Sequence, residues 1–323
     1  MVGVRQVGVE ELSDYGSLLQ TPFWARLKTA SGWKSRAVEV DNLRLLVLQR
    51  TIAPGFEISY VPMAPEDTSH LPSIAQALSE TVCRTSFLIR FDLPWGSGEP
   101  PQHKRLVRLG YTIQPEATVQ VDLGLSPEML LSGFSKRVRR HIRKGEEFLT
   151  LTRWDGSEQE LELWYSLYIK TGKREGFLTR PRSYFQQMLS STQNDRVFSR
   201  LYLSYQQTQL NAGIIVLFGP SQGIYLYGAS ERGEQIMSGS YLLQWQAILD
   251  AQERGCGIYD LNGVAPQYSE IFHHLGGLNL FKTGFSDKII TRPGCYDYLV
   301  KPVQYTLYST AERLRIRQSR KRR

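Results

Sequence analysis

The longest unbroken apolar run in this chain, Ile214-Ile215-Val216-Leu217-Phe218, is bounded by Gly213 and by Gly219-Pro220. A run this short cannot cross a bilayer, which takes roughly 18 residues, and it reads as a buried strand. Comparable apolar segments recur along the chain and alternate with segments of helical period. Strands are expected at 43–50, from 58 into the prolines at 62 and 65, and at 87–92, 119–123, 198–205, 210–218, 224–229 and 258–261. Helices are expected near 21–29, 72–85, 126–144, 158–171, 182–190, 240–254 and 301–317. The fold class is therefore mixed α/β (α+β). A chain of 323 residues exceeds one ordinary core, so two domains of about 150 residues are the default. The two halves share a rough element order, which hints at a duplicated unit.

Charge is unevenly placed. The net charge is +8, but it resides in two segments. One is Lys136, Arg137, Arg139, Arg140, Arg143 and Lys144. The other is the tail with Arg313, Arg315, Arg317, Arg320, Lys321, Arg322 and Arg323. The remainder is mildly acidic. Clusters of this kind favour a polyanionic partner, either nucleic acid or an anionic membrane surface. Ser126-Pro127-Glu128 is a helix start. Beyond it, Leu131, Phe134, Val138 and Ile142 fall within about 40° of one line, and the six cations lie at least about 100° away. Gly145 is expected to end that helix. Such a face suits phosphate binding, and it also suits plain solvation. Six cations without an intervening acid repel one another, which favours phosphate. The terminal run is either an electrostatic arm for RNA or membrane, or an unspecific disordered end.

Several chemistries lose ground. There is no phosphate-binding Gly-x-x-x-x-Gly-Lys-Ser/Thr loop, no Gly-x-Gly-x-x-Gly after a strand and no Gly-x-Ser-x-Gly elbow. The adjacent His273 and His274 would point apart, so no metal site is expected. Cys83, Cys256 and Cys295 form neither a ligand spacing nor a disulfide framework. With no signal-peptide pattern at the N-terminus, a reducing cytoplasm is the simplest location.

One cation stands apart. The strand Ile258–Leu261 ends in Asn262-Gly263, and the chain later returns through Leu278, Leu280, Phe281 and Phe285 with Lys282 among them. A lysine flanked by aromatics is costly to bury unless negative charge meets it, so Lys282 marks a site for an anion or oxyanion. Arg180 and Tyr184 share a helix face and suit a diphosphate or carboxylate, or else form a surface arginine beside a half-buried tyrosine. Tyr225 and Tyr227 are expected on one strand face, where core packing is the simpler role. Trp24, Lys28 and Trp33 form an aromatic and cationic cluster around the first helix, where the lysine can equally well be snorkelling.

Taken together these pieces resemble the FemABX family of tRNA-dependent peptidoglycan aminoacyltransferases, in its compact form without a coiled-coil arm. The likeness rests on Gln20-Thr-Pro-Phe-Trp-Ala-Arg-Leu-Lys28 with Gly32-Trp33, Tyr60-Val-Pro-Met-Ala-Pro65 and Val121-Asp-Leu123. It continues through Thr171-Gly-Lys-Arg-Glu-Gly-Phe177, Arg180, Tyr184 and Tyr225-Leu-Tyr-Gly-Ala-Ser230, and closes on Tyr259-Asp-Leu-Asn-Gly263 and Phe281-Lys282-x-x-Phe285. The resemblance implies two GNAT-like acyltransferase domains packed around a cleft, at 1–125 plus 297–323 and at 126–296. It implies transfer of glycine, alanine or serine from aminoacyl-tRNA to a peptide amine on lipid II or on a UDP-MurNAc-peptide, with no cofactor. Lys282 and Phe281 would be catalytic. Lys28, Arg180, Tyr184 and Tyr227 would hold the acceptor diphosphate, and Lys136, Arg137, Arg139, Arg140, Arg143 and Lys144 the tRNA backbone. Asp92 or Asp260 is a candidate proton acceptor, as are water and the substrate. A cytoplasmic protein touching the inner membrane face through its basic tail is expected, with the oligomeric state open. The loop Gln235–Ser240 lacks the glycine placement of a CoA pyrophosphate loop. Two alternatives remain: an acyl-CoA-dependent N-acyltransferase acting on an amino sugar or polymer, and a non-catalytic precursor- or RNA-binding protein.

Overall fold

A computed structural model describes residues 3–14, 16–111, 113–191, 194–232, 238–264 and 276–321, without the side chains of 276, 277 and 313–321. The side chains of the basic tail, His273-His274 and residues 235–237 of the 235–240 loop lie outside the described residues. The chain runs β1 (Val4–Val7), α1 (Pro22–Ala30), β2 (Lys34–Val40), β3 (Leu43–Ala53), β4 (Phe56–Val61), α2 (Leu71–Glu80), β5 (Leu88–Asp92) and β6 (Leu106–Arg108). It continues with β7 (Ala117–Asp122), α3 (Pro127–Gly133), α4 (Lys136–Phe148), β8 (Thr150–Arg153), α5 (Glu158–Glu175), α6 (Arg182–Met188), β9 (Phe198–Gln206), β10 (Gln209–Phe218) and β11 (Gln222–Ser230). It closes with α7 (Ser238–Glu253), β12 (Ile258–Asp260), α8 (Gly276–Lys282), β13 (Ile289–Thr291), β14 (Cys295–Leu299) and α9 (Pro302–Lys321). No helix among the described residues is long and apolar enough to cross a membrane.

The chain forms two compact units, Met1–Glu116 with Thr291–Arg323, and Ala117–Ile290. Among the described residues each holds a seven-stranded sheet, ordered β1-β2-β3-β4-β5-β14-β6 and β13-β7-β12-β11-β10-β9-β8. The two orders repeat one plan. In the first, β2, β3 and β4 are antiparallel, and β4 runs parallel to β5 through the crossover helix α2. In the second, β9, β10 and β11 are antiparallel, and β11 runs parallel to β12 through α7. The next place is filled by β14 beside β5 in one sheet and by β7 beside β12 in the other. The sequence boundary at 125/126 therefore differs from the observed one. The alternating strand at 119–123, grouped by sequence with the first domain, hydrogen-bonds in the second sheet.

In the first unit α2 lays Leu71, Ile74, Ala75 and Leu78 onto Val38, Val47, Ile89 and Phe91, at the spacing of one helix face. In the second, α7 is buried on nearly every side, including Tyr241, Leu243, Trp245, Ile248 and Ala251. It is held between the sheet and α4, which explains why it shows no polar face.

The helix expected over 126–144 is two helices. Phe134 leaves the helical region with ψ of 153°, and Ser135 caps a new start, its Oγ accepting from the Val138 amide at 3.3 Å. Nor does Gly145 end the second piece, which continues to Phe148. Gly145 is buried where α4 crosses α7, and a Cβ there would lie 2.9 Å from the Leu242 Cβ. The glycine buys close approach rather than termination. This generates a test of sign. Helix propensity alone makes Gly145→Ala stabilising by about 1 kcal/mol. The crossing makes it destabilising by a net of about 1–2 kcal/mol, read as a lower urea midpoint.

Candidate functional site

Lys282 ends α8 and is 5% exposed. Its Nζ donates to the Asn262 carbonyl and, at 2.8 Å, to the Gly263 carbonyl. The turn that presents them needs left-handed backbone, φ 52° at Asn262 and 39° at Gly263, which asparagine and glycine adopt most readily. The Tyr225 ring lies 5.4 Å from Nζ. Asp260, at the end of β12, supplies the nearby negative charge. It is itself held by Thr118, by Gln120 at 3.3 Å and by the Asn262 amide at 2.7 Å. Burial pulls the Lys282 pKa down from 10.5 to about 7 against the attraction of Asp260, and burial raises the pKa of Asp260. An ammonium has three protons, and among the described residues two acceptors meet them. The sequence reading sought an external anion for this cation. The protein supplies much of that role through backbone oxygens.

Phe281 is half-buried, its ring edge-on to Tyr241 at 4.7 Å and to Phe285 at 5.5 Å. Tyr241 in turn stacks on His141 at 4.6 Å. Behind Lys282, Gly284 meets the start of α4: the Ser135 amide donates to the Gly284 carbonyl at 2.9 Å, and a Cβ on Gly284 would lie 2.7 Å from Val138 Cγ2. The lysine and the basic helix are thus packed as one body.

Only part of the basic segment is outward. Lys136, Arg140, Arg143 and Lys144 are exposed. Arg139 instead folds back onto the carbonyls of Ser132, at 2.8 Å, and Phe134, closing the end of α3. Arg137 is half-buried beside the Tyr241 hydroxyl. His141 on the same helix was not singled out by the sequence. It is buried against Tyr241 and Ser238, and burial with the neighbouring Arg140, Arg137 and Lys144 lowers its pKa.

Arg180, Tyr184 and Tyr227 come together. The Tyr227 and Tyr184 hydroxyls are 3.2 Å apart, and the exposed Arg180 guanidinium lies 5.7 Å from the Tyr184 ring. Burial pushes the Tyr184 phenol well above its ordinary range. Tyr225 and Tyr227 do not share a face as period-2 alternation suggests. A bulge at Leu226 pairs Tyr225 with Val216 and Tyr227 with the adjacent Ile215. Tyr225 accordingly packs with the α7 core, and Tyr227 with Tyr168 and Phe185 of α5 and α6.

In the first unit Lys28 lies 4.5 Å over the Trp24 ring, and the Trp33 amide donates to the Lys28 carbonyl at 3.1 Å while its ring packs against Tyr60 and Arg50. Asp92 is fully buried, accepting from Arg292 and from the Tyr60 hydroxyl, each at 2.7 Å. It anchors that core rather than facing a substrate.

The Lys282 geometry carries a pH signature. An unfolded lysine keeps its proton to about 10.5, whereas the folded one releases it near 7, so in that interval the unfolded chain binds more protons and stability rises with pH. Relative to Lys282→Met, the wild type is expected to gain stability from pH 7 to pH 9, by at most about 1.4 kcal/mol per pH unit. Urea midpoints of both proteins check this, and a constant difference would count against it.

The chain matches the FemAB family over residues 102–201 and 190–313. It is 23% identical to lipid II:glycine glycyltransferase of Staphylococcus haemolyticus, over 90% of both chains. It is 22% identical to the protein of the same name from Staphylococcus aureus, again over 90% of both. The crystal structure of FemX superposes with a TM-score of 0.75 at 19% identity, covering 94% of this chain and 99% of that one. A tandem GNAT protein from the clavulanic acid biosynthesis pathway superposes with a TM-score of 0.52 at 9% identity, covering 93% and 99%. These likenesses, with the repeated sheet order, show two GNAT-like units in one chain. With the family match extending over most of its length, the chain belongs to the FemAB family.

Proposed function

We propose that this protein is an aminoacyltransferase that moves an amino acid from aminoacyl-tRNA to a peptide amine of a peptidoglycan precursor, with the lipid-linked precursor as acceptor. The observation that carries the reading is the correspondence, over 90% of both chains, with proteins named lipid II:glycine glycyltransferase. Their name makes glycine the first amino acid to test, with alanine and serine as competitors.

The chemistry asked of the chain is modest. The precursor amine attacks the ester carbonyl, the new C–N bond forms, and the ester C–O bond breaks. The amine's proton ends on the departing ribose oxygen. An ester is already activated, so positioning and charge stabilisation suffice. Lys282 is proposed to direct a proton at the oxyanion, held rigid by the Asn262 and Gly263 carbonyls. Phe281 fixes the lysine's helix against Tyr241. Arg180, Tyr184 and Tyr227 are proposed to bind the acceptor diphosphate. Lys136, Arg140, Arg143 and Lys144 are proposed to bind tRNA phosphates, and Arg137 and Arg139 to hold their helix in place. Peripheral contact of the basic tail with an anionic membrane would bring the protein to a lipid-linked acceptor.

The test is transfer of labelled glycine from glycyl-tRNA to lipid-linked and UDP-linked precursors, with acyl-CoA in place of tRNA as the control. Lys282→Ala is expected to lower kcat about 100-fold or more with tRNA affinity retained, and an unchanged kcat would remove the lysine from the chemistry. Replacing Lys136, Arg140, Arg143 and Lys144 by Gln is expected to weaken tRNA binding and flatten its log–log salt dependence by about 3. Arg139→Gln should instead lower the unfolding midpoint.

A further inference from the structure

The loop between α5 and α6 carries an apolar side chain with no contact of its own fold to explain it. Leu178 is 92% exposed, and no large apolar side chain among the described residues is more so; Phe177 beside it is 39% exposed. The loop is braced. Gly176 takes φ 73°, and its amide and that of Phe177 donate to the Gly172 carbonyl at 2.9 and 3.1 Å. Gly172 has no side chain because Thr179 folds onto it, its Cγ2 2.4 Å from where a Cβ would stand. The Arg180 amide donates to the Tyr168 hydroxyl at 3.3 Å, and the Tyr165 hydroxyl donates to the Arg180 carbonyl at the same distance. Leu178 is thus presented from a fixed frame, two residues before Arg180.

We infer that Leu178, with Phe177, is the contact for the prenyl chain of a lipid-linked acceptor, set beside the cation that takes its diphosphate. The inference rests on the reading of Arg180, Tyr184 and Tyr227 as the diphosphate site. A prenyl diphosphate joins an apolar chain directly to an anion. The loop offers the complement in the same order, an exposed leucine and then an exposed guanidinium. A UDP-linked acceptor has a polar nucleoside where the prenyl chain would be, and gains nothing from the leucine. The loop would therefore set the choice between two acceptors that share one peptide and one diphosphate.

The experiment compares initial rates with two water-soluble acceptors, a precursor carrying a short prenyl diphosphate and the UDP-linked precursor, with no bilayer present. Leu178→Ser is expected to raise KM for the prenyl-linked acceptor about tenfold, the order that loss of one leucine contact gives. It should leave kcat and the KM for the UDP-linked acceptor unchanged, and Leu178→Met should restore the wild-type value. An equal change for both acceptors, no change for either, or a change only with acceptor in vesicles overturns the inference, the last by assigning the leucine to the bilayer surface. Arg180→Ala separates the underlying reading. If it leaves KM for both acceptors unchanged, the diphosphate site itself falls. If it raises both while Leu178→Ser changes neither, only the prenyl contact falls.

Discussion

A buried ammonium must be solvated by the protein, and the site in the second unit is arranged around that demand. Lys282 has lost nearly all its water, so its cation persists only through oxygen atoms that cannot move away. Backbone carbonyls at a turn meet this better than side chains, since they cost no rotamer freedom. Two consecutive carbonyls can converge on one nitrogen only if the chain reverses sharply, and this is what the left-handed pair Asn262-Gly263 accomplishes. Asp260 stabilises both the turn, through the Asn262 amide, and the charge, through its own. The residual imbalance, a lysine with a pKa of about 7, leaves the amine responsive to charge developing beside it.

The same demand explains the packing around the lysine. Tyr225 lies under Nζ, and its hydroxyl occupies the space a side chain at residue 228 would need, 1.9 Å from a Cβ there. Gly228 is therefore a condition of the tyrosine's position. On the other side the Gly284 junction fastens the lysine to Ser135, which is at once the cap of α4 and the donor to Gly284. Ring contacts of Phe134 with Phe285, at 5.2 Å, and of Tyr241 with both Phe281 and His141 add to this junction, so the lysine and α4 hold a fixed relation.

The repeated sheet order gives the architecture its economy. Each unit is an antiparallel run followed by one parallel crossover, and only the strand beside the crossover differs in origin. In the first sheet it is β14, from the end of the chain, and in the second β7, which precedes the rest of that unit. A strand's own sequence specifies alternation and burial but not the neighbour that takes its hydrogen bonds, because every backbone offers the same donors and acceptors. This is why β7 was legible as a strand and misassigned as to domain. The edge strands β1, β6, β8 and β13 were missed because short or partly exposed segments carry little period, and the interior strands β2 and β14, with charged or polar residues among their apolar ones, were missed as well.

Elsewhere local signals were sufficient. Thr21-Pro22 and Ser126-Pro127 start helices because a hydroxyl and a ring satisfy the first turn whatever lies beyond. Arg180 and Tyr184 did come together, but not by helical spacing: α6 starts only at Arg182, and Arg180 is held on the preceding loop by Tyr165 and Tyr168, while Tyr227 joined them only because a bulge turned it from its neighbour Tyr225. A bulge is fixed by pairing with β10, so no property of the tyrosines announces it. The sequence by itself determined which residues could carry chemistry: a lysine among aromatics, a helix with one cationic face, a turn of asparagine and glycine. Those features arise from side-chain type and local backbone preference. Tertiary structure alone decided that the turn at 262–263 solvates the lysine at 282, and that Arg139 closes a helix end rather than facing outward. The first pairing joins residues 20 positions apart across a chain reversal, and the second, though local, arises only because the helix breaks between α3 and α4, which side-chain type alone does not announce.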